Sequence, residues 1–132
     1  MDKSYPETVT VKKSKHGKGI FATTSFLKGD LLFQITGQPL NFHQTLDLGQ
    51  DECYCLQIGK NNYIIPDSPF HLSNHSCTPN CGINENMNLI VLREIRKGEE
   101  LLWDYSTSMF ERHWIMKCKC GTINCRHLIK DL

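Results

Sequence analysis

Short runs of apolar or alternating residues, separated by turn signals, make up most of the chain. Gly and Pro mark the turns, as at residues 28–30 and 66–69. A helical period occurs only over residues 108–117, where Phe110 and Trp114 are four apart. The pattern therefore predicts a mostly β fold. Its expected short strands cover residues 8–11, 19–22, 30–35, 53–58, 63–65, 88–92 and 100–103.

Length and composition predict one globular domain. The chain has 132 residues, of which 39% are hydrophobic and 22% charged, a balance typical of folded chains. The net charge is +1, and the most basic stretch, residues 12–18, is short, so a solvated turn is favoured there over a nucleic-acid patch. No secretory signal opens the chain, and no apolar run approaches the roughly 20 residues that span a bilayer. We therefore expect no membrane partner and no direct sequence-specific nucleic-acid binding.

The cysteines indicate metal binding in a reducing compartment. An odd count of seven without a secretory signal argues for an intracellular protein, cytoplasmic or nuclear. Cys118, Cys120 and Cys125 form C-x-C-x4-C, and closely spaced thiolates of this kind are zinc ligands. Gly121 relieves the backbone where it bends around an ion. Three free thiols in a flexible tail are the less favoured alternative.

Three local thiolates leave one position of a zinc tetrahedron to be filled from elsewhere in the chain. Cys77 and Cys81 are the leading candidates, because they share a loop with Pro79. The weaker candidates are His127, Cys53 and Cys55. A site with four sulfur ligands has no open position for chemistry, so we expect a structural zinc ion.

The polar string N-H-S-C-T-P-N at residues 74–80 lies in a segment without clear periodicity. It carries amide, imidazole, hydroxyl and thiol groups that form directed hydrogen bonds. Alone, Cys77 with His75 suggests a cysteine hydrolase. However, residues two apart on a loop rarely form a nucleophile–base pair, and no oxyanion signature accompanies them.

A second string, G-E-E-L-L-W-D-Y at residues 98–105, is a turn that leads into an apolar strand. Strand alternation places Trp103 and Tyr105 on the same side. Asp104 then points the other way, which favours a structural hydrogen bond over a general-base role. A core strand that ends in a surface tyrosine is the plain alternative.

These strings resemble the motifs of a SET domain followed by a post-SET zinc motif. Residues 16–22 (H-G-K-G-I-F-A) resemble the family's G-x-G motif, residues 74–80 its N-H-S-C-x-P-N motif and residues 98–105 its G-E-E-L-x-x-D-Y motif. The C-x-C-x4-C string resembles the post-SET motif. All four occur in the family's order, and together they cover nearly all of residues 9–126.

The resemblance implies a fold and a domain layout. The fold would contain several small curved β-sheets, a knot-like C-terminal threading and a post-SET zinc tail. A lead-in would cover residues 1–8, the SET domain residues 9–107, and a post-SET helix or linker with the zinc-binding tail residues 108–132.

The resemblance also implies a protein-lysine N-methyltransferase that uses S-adenosylmethionine and contains Zn²⁺. Tyr105 would be the catalytic residue. Cofactor contacts are implied for Lys18, Gly19, Ile20, Tyr54, Asn74 and His75. The substrate channel would be lined by Leu56, Trp103 and Tyr105, and the zinc ligands would be Cys77, Cys118, Cys120 and Cys125.

Some positions depart from the family pattern. His71, Leu72 and Ser73 stand where Arg-Phe-Ile-like residues are usual. Trp103 stands where Phe or Tyr is common. Its bulk restricts the methyl groups that fit, whereas its missing hydroxyl removes a water anchor that favours monomethylation, and we expect mono- or dimethylation.

The insert at residues 39–52 is short and holds Asp47, Asp51 and Glu52 but no Lys or Arg. In the family this region borders the peptide groove. We therefore expect a protein substrate with its lysine in a flexible basic segment, such as a histone tail. An ordinary solvated acidic loop is the alternative.

Two other classes compete with the enzyme. One is a catalytically inactive SET-like module that binds zinc and recognises a peptide. The other is a zinc-ribbon nucleic-acid binder, which the near-neutral charge disfavours. The presence of Tyr105 and of the Asn74–His75 pair favours an active enzyme.

Overall fold

A computed structural model of the chain describes residues 6–15, 17–41, 43–44, 56–59, 62–105, 115–118 and 120–130. Several residues that the sequence singles out lie outside these ranges, namely Tyr54, Asp47, Asp51, Glu52, Cys53, Cys55, Phe110 and Trp114. Within the described ranges, no helix combines the length and the apolar character needed to cross a membrane.

Short strands paired into small sheets form most of the described structure. Four of the sheets are antiparallel, and one pair of strands is parallel. The antiparallel sheets are β1 (Val9–Ser14) with β2 (Gly17–Ala22); β3 (Leu31–Gln34) with β9 (Asn88–Val91) and β8 (Cys81–Ile83); β4 (Gly37–Leu40) with β6 (Asn62–Pro66) and β5 (Leu56–Gly59); and β11 (Ile115–Lys117) with β12 (Leu128–Lys130). The parallel pair is β7 (Asn74–His75) with β10 (Leu102–Trp103).

One apolar core contains side chains from four of these sheets, namely β1–β2, β3–β9–β8, β4–β6–β5 and β7–β10. Ile20 of β2, Leu89 and Val91 of β9, and Ile95 are almost fully buried in it. The Leu101 N–H donates to the Ile20 carbonyl at 2.8 Å, which attaches β2 to the chain just before β10. Burial of these side chains is the main stabilising contribution to the arrangement of the sheets.

The prediction of a mostly β fold with several small sheets is confirmed. The predicted helical period over residues 108–117 is wrong at its end, because Ile115–Lys117 forms strand β11. There Met116 pairs with Ile129 of β12, and such tertiary pairing overrides a weak local period. The rest of that segment lies outside the described residues. The knot-like threading and the domain boundaries stay predictions.

The sequence pattern does not predict β4, β7, β8 and β12. These strands have only two to four residues each. An alternating pattern needs about four residues to be recognised, so strands this short leave almost no signal.

Candidate functional site

The two polar strings of the sequence lie side by side, because β7 runs parallel to β10. The Ser76 N–H donates to the Trp103 carbonyl at 3.0 Å. The buried amide of Asn80 joins the strings again: its Nδ2 donates to the Glu100 carbonyl at 2.8 Å, and its Oδ1 accepts from the Leu102 N–H at 2.8 Å. A buried amide whose polar atoms are all paired makes a stable connection, so Asn80 is a structural residue of this unit.

Asn74 attaches this unit to the β1–β2 hairpin. Its Nδ2 donates to the Lys18 carbonyl at 3.0 Å and to Glu100 Oε2 at 2.8 Å. The Ser14 hydroxyl donates to the same carboxylate at 2.9 Å. Gly19 lies so close that a Cβ on it would overlap the Glu100 carboxylate. The backbone of the G-x-G segment is therefore held by Asn74, and a larger residue at position 19 would displace the Glu100 carboxylate.

His75 is buried and links Tyr105 to the cysteine cluster. The Tyr105 backbone N–H donates to His75 Nδ1 at 2.9 Å, so the proton of the neutral ring is on Nε2. Nε2 is 3.3 Å from Cys77 Sγ and donates to it. Burial lowers the pKa of His75 to about 4, although the charge of Asp104 acts in the opposite sense. The ring is therefore neutral near pH 7.

Tyr105 lies beside Trp103, with ring centroids 4.8 Å apart, on the same side as strand alternation predicts. The Tyr105 hydroxyl donates to the Ser73 carbonyl at 2.6 Å. The Trp103 side chain is buried, and its Nε1 donates to Ser73 Oγ at 2.7 Å. The phenol oxygen thus has a defined position next to a backbone carbonyl, and it also carries acceptor lone pairs.

The described residues bring four cysteines together. The Sγ atoms of Cys77, Cys118, Cys120 and Cys125 all lie within 4.8 Å of one another. Cys118 Sγ is 3.8 Å from Cys77 Sγ and 3.7 Å from Cys125 Sγ. Sulfurs around a zinc ion, each about 2.3 Å from the metal, are about 3.8 Å apart. Gly121 has a φ of 77°, the left-handed conformation expected where the chain bends. The donor set and its spacing therefore fit Zn²⁺.

Arg126 fastens the cysteine-rich tail to the polar strings. Its backbone N–H and Nε donate to Cys77 Sγ at 3.4 and 3.3 Å. Its guanidinium donates to Asp104 Oδ1 at 2.6 Å. Together with His75, three N–H groups point at the Cys77 sulfur. Asp104 is held in an ion pair, which agrees with the structural role expected for it.

The structure separates the candidates for the fourth thiolate. Cys77 lies in the cluster, whereas Cys81 is buried in the apolar core, where burial raises its pKa to about 12. His127 Nδ1 is 3.9 Å from Cys125 Sγ, at the margin of the cluster.

The other predicted site residues occupy different surroundings. The predicted channel residue Leu56 is 3% exposed and packs in the core. Lys18 is exposed on the β1–β2 hairpin, and Ile20 is buried in the apolar core.

Sequence reasoning missed two residues of the site, Ser73 and Arg126. Both carried one usable signal. Ser73 stands where the family pattern has an Ile-like residue, and a polar side chain at an apolar position indicates a specific hydrogen bond. Arg126 directly follows the last cysteine, a position from which its backbone and side chain both reach the Cys77 sulfur.

Comparison with known proteins gives the family. The SET domain family matches residues 17–106, which include strand β2 and both polar strings. The chain therefore belongs to the SET domain family.

Among curated proteins, the chain is similar to several much longer methyltransferases. It is 32% identical to "Histone H3-lysine(4) N-trimethyltransferase ATX1" of Arabidopsis thaliana, over 99% of this chain and 14% of the relative. It is 25% identical to "Histone-lysine N-methyltransferase, H3 lysine-36 specific" of Gibberella zeae, over 93% of this chain and 15% of the relative. It is 25% identical to "Histone-lysine N-methyltransferase 2B" of Homo sapiens, over 98% of this chain and 5% of the relative.

Proposed function

We propose that the chain is a protein-lysine N-methyltransferase that takes its methyl group from S-adenosylmethionine. The observation that carries the proposal is the position of the Tyr105 hydroxyl, which lies 2.6 Å from the Ser73 carbonyl. Ser73 directly precedes Asn74, whose side chain anchors the G-x-G segment. The names of the relatives support the same activity, since all three are called histone-lysine or histone H3-lysine methyltransferases.

The polar and aromatic groups around Tyr105 fit a cationic cofactor. A sulfonium is stabilised by acceptor oxygens and by aromatic faces. The Ser73 carbonyl and the Tyr105 hydroxyl supply such oxygens, and the Trp103 ring lies 4.8 Å from the Tyr105 ring. The proposed cofactor-binding residues are Lys18, Gly19, Ile20, Tyr54, Asn74 and His75.

When bound, S-adenosylmethionine supplies an electrophilic methyl group for in-line displacement by an amine. The lysine amine must be neutral, although its ordinary pKa is about 10.4. Burial in an apolar channel next to a positive charge lowers that pKa, so the amine releases its proton to water. Tyr105 orients the amine through its hydroxyl, and alignment of this kind accelerates transfer. Asp104 is paired with Arg126 and is not assigned as a base.

We propose that Zn²⁺ is held by Cys77, Cys118, Cys120 and Cys125 in a structural role. Four thiolates complete a tetrahedron and leave no open position for substrate. The ion would connect the C-terminal tail to the loop that carries His75. Zinc thiolates are stable in a reducing compartment, and we propose an intracellular location, cytoplasmic or nuclear.

The proposed substrate is a lysine in a flexible basic segment, with histone tails as the first choice. The acidic insert and the histone substrates in the relatives' names both support a basic partner.

The test is incubation of the purified, zinc-loaded protein with isotopically labelled S-adenosylmethionine and a panel of histones, basic peptides and acidic control proteins. The expected result is labelled lysine in the basic proteins alone. Tight binding of a basic peptide without any transfer would instead identify an inactive peptide-recognition module.

A further inference from the structure

The side chain and the main chain of Ser73 hold two neighbouring aromatic residues at once. Ser73 Oγ accepts the Trp103 Nε1–H at 2.7 Å, and the Ser73 carbonyl accepts the Tyr105 hydroxyl at 2.6 Å. Ser73 Oγ in turn donates to the Phe70 carbonyl at 2.6 Å. Ser73 is 4% exposed, and both hydrogen bonds of its hydroxyl are buried.

The indole N–H of Trp103 needs this partner. Trp103 is 6% exposed, and a buried indole N–H without an acceptor is costly. In the described part of the chain, every buried side-chain nitrogen and oxygen atom has a hydrogen-bond partner. Removal of the Ser73 hydroxyl would therefore leave one orphaned donor, and the indole would have to turn to find another acceptor.

The orientation of the Trp103 indole determines the surface against which the Tyr105 ring packs. The Trp103 ring packs between Phe70 and Tyr105, with centroid distances of 5.0 and 4.8 Å. The Tyr105 backbone is held separately by His75. The Tyr105 side chain is held at its tip by the bond from its hydroxyl to the Ser73 carbonyl and along its ring by the indole.

We propose that Ser73 is a positioning residue for methyl transfer and that it acts through its hydroxyl. The hydroxyl fixes the orientation of the Trp103 indole, and the indole in turn fixes the position of the Tyr105 hydroxyl. The inference rests on the proposed function. Ser73 itself does not touch the reacting atoms through its hydroxyl; it acts through Trp103. Both positions depart from the family pattern, and the structure joins them by one hydrogen bond.

The test compares Ser73→Ala, Trp103→Phe and the double variant with the parent. Ser73→Ala should lower kcat about tenfold, as expected for loss of one buried hydrogen bond, while KM for S-adenosylmethionine stays within about twofold. Trp103→Phe removes the donor itself, so the double variant should lose less than the product of the two single losses. Ser25→Ala is the control: it removes an exposed hydroxyl from the connection between β2 and β3, where Ser25 Oγ accepts the Lys97 N–H at 3.2 Å and contacts neither aromatic residue.

A second measurement does not depend on activity. In a ¹⁵N NMR spectrum, Ser73→Ala should shift the indole N–H signal of Trp103, whereas Ser25→Ala should not. Parental kcat in Ser73→Ala, with an active parent, would overturn this inference and leave the proposed function standing. An inactive parent would refute the proposed function instead. Whether or not the parent is active, an unshifted indole signal in Ser73→Ala would refute the hydrogen bond between Trp103 and Ser73, and with it this inference.

Discussion

At the scale of single residues, one hydroxyl group carries the proposed chemistry. Tyr105 donates to the Ser73 carbonyl, its backbone is held by His75, and its ring is packed against Trp103. Each of these contacts restricts a different part of the residue. The site is therefore organised around the position of this oxygen.

Tyr105→Phe tests that role. The variant should keep the fold and its cofactor affinity but lose methyl-transfer rate by at least about 100-fold, a typical cost of removing one catalytic hydrogen-bonding group. Single-turnover kinetics with calorimetric cofactor titration measures both quantities. A variant with near-normal turnover would move the catalytic role elsewhere. A merely structural tyrosine predicts a lower unfolding temperature with an unchanged rate per folded molecule.

Asn74 is the second residue on which the site depends. Asn74→Ala removes the donor that holds the Lys18 carbonyl and Glu100, and it leaves those acceptors without this bond. Cofactor affinity should fall by about tenfold or more, because a hydrogen bond of this kind contributes about 1–3 kcal/mol. Calorimetry with S-adenosylmethionine gives the comparison. The exposed Asn62→Ala is the matched control, and equal affinity in both variants would contradict the assignment.

At the scale of elements, the cysteine-rich tail and the polar string at residues 74–80 meet at the cluster of four cysteines. His75 and Arg126 both donate to Cys77 Sγ, so a change at the proposed zinc site would reach the segment that carries His75 directly. The described part of the tail therefore contacts the polar strings through Arg126 and the cysteine cluster.

Metal analysis of protein in reducing buffer should give one zinc per chain. The Cys118→Ser/Cys120→Ser double variant should lose the metal, because the two remaining thiolates supply only half of the four ligands of a structural zinc site. Cys81→Ala should retain it, since Cys81 lies in the apolar core. Chelation should also weaken cofactor binding through the loop. Zinc retained in the double variant would show the ligand set to be wrong.

At the scale of the whole molecule, the charges of the insert would attract a basic substrate. Replacement of Asp47, Asp51 and Glu52 by Asn, Asn and Gln should raise KM for a basic peptide and flatten its dependence on salt, because long-range attraction is screened within about 10 Å at 0.1 M salt. Steady-state kinetics across a salt series measures the effect. Unchanged KM and slope would remove the argument for a basic tail and leave lysine methylation untouched.

Much of this organisation follows from the sequence, and some of it does not. Short apolar or alternating runs predict β2, β3 and β9, each of which contributes buried side chains to the core, and motif spacing predicts the Cys118, Cys120 and Cys125 group. The parallel pairing of β7 with β10 leaves no local signal, since it joins segments nearly thirty residues apart. The bond between Ser73 and Trp103 depends on that pairing, and the bond between Arg126 and Cys77 joins residues 49 apart in sequence, so only the folded chain brings these partners together.

The most direct test of the central claim is mass spectrometry of a histone after incubation with the zinc-loaded protein and S-adenosylmethionine. The account predicts added methyl groups localised to lysine side chains, with mono- and dimethyl-lysine as the main early products, and almost none with Tyr105→Phe. An unmodified histone and an unmodified panel of basic proteins, despite bound cofactor and one zinc per chain, would contradict it.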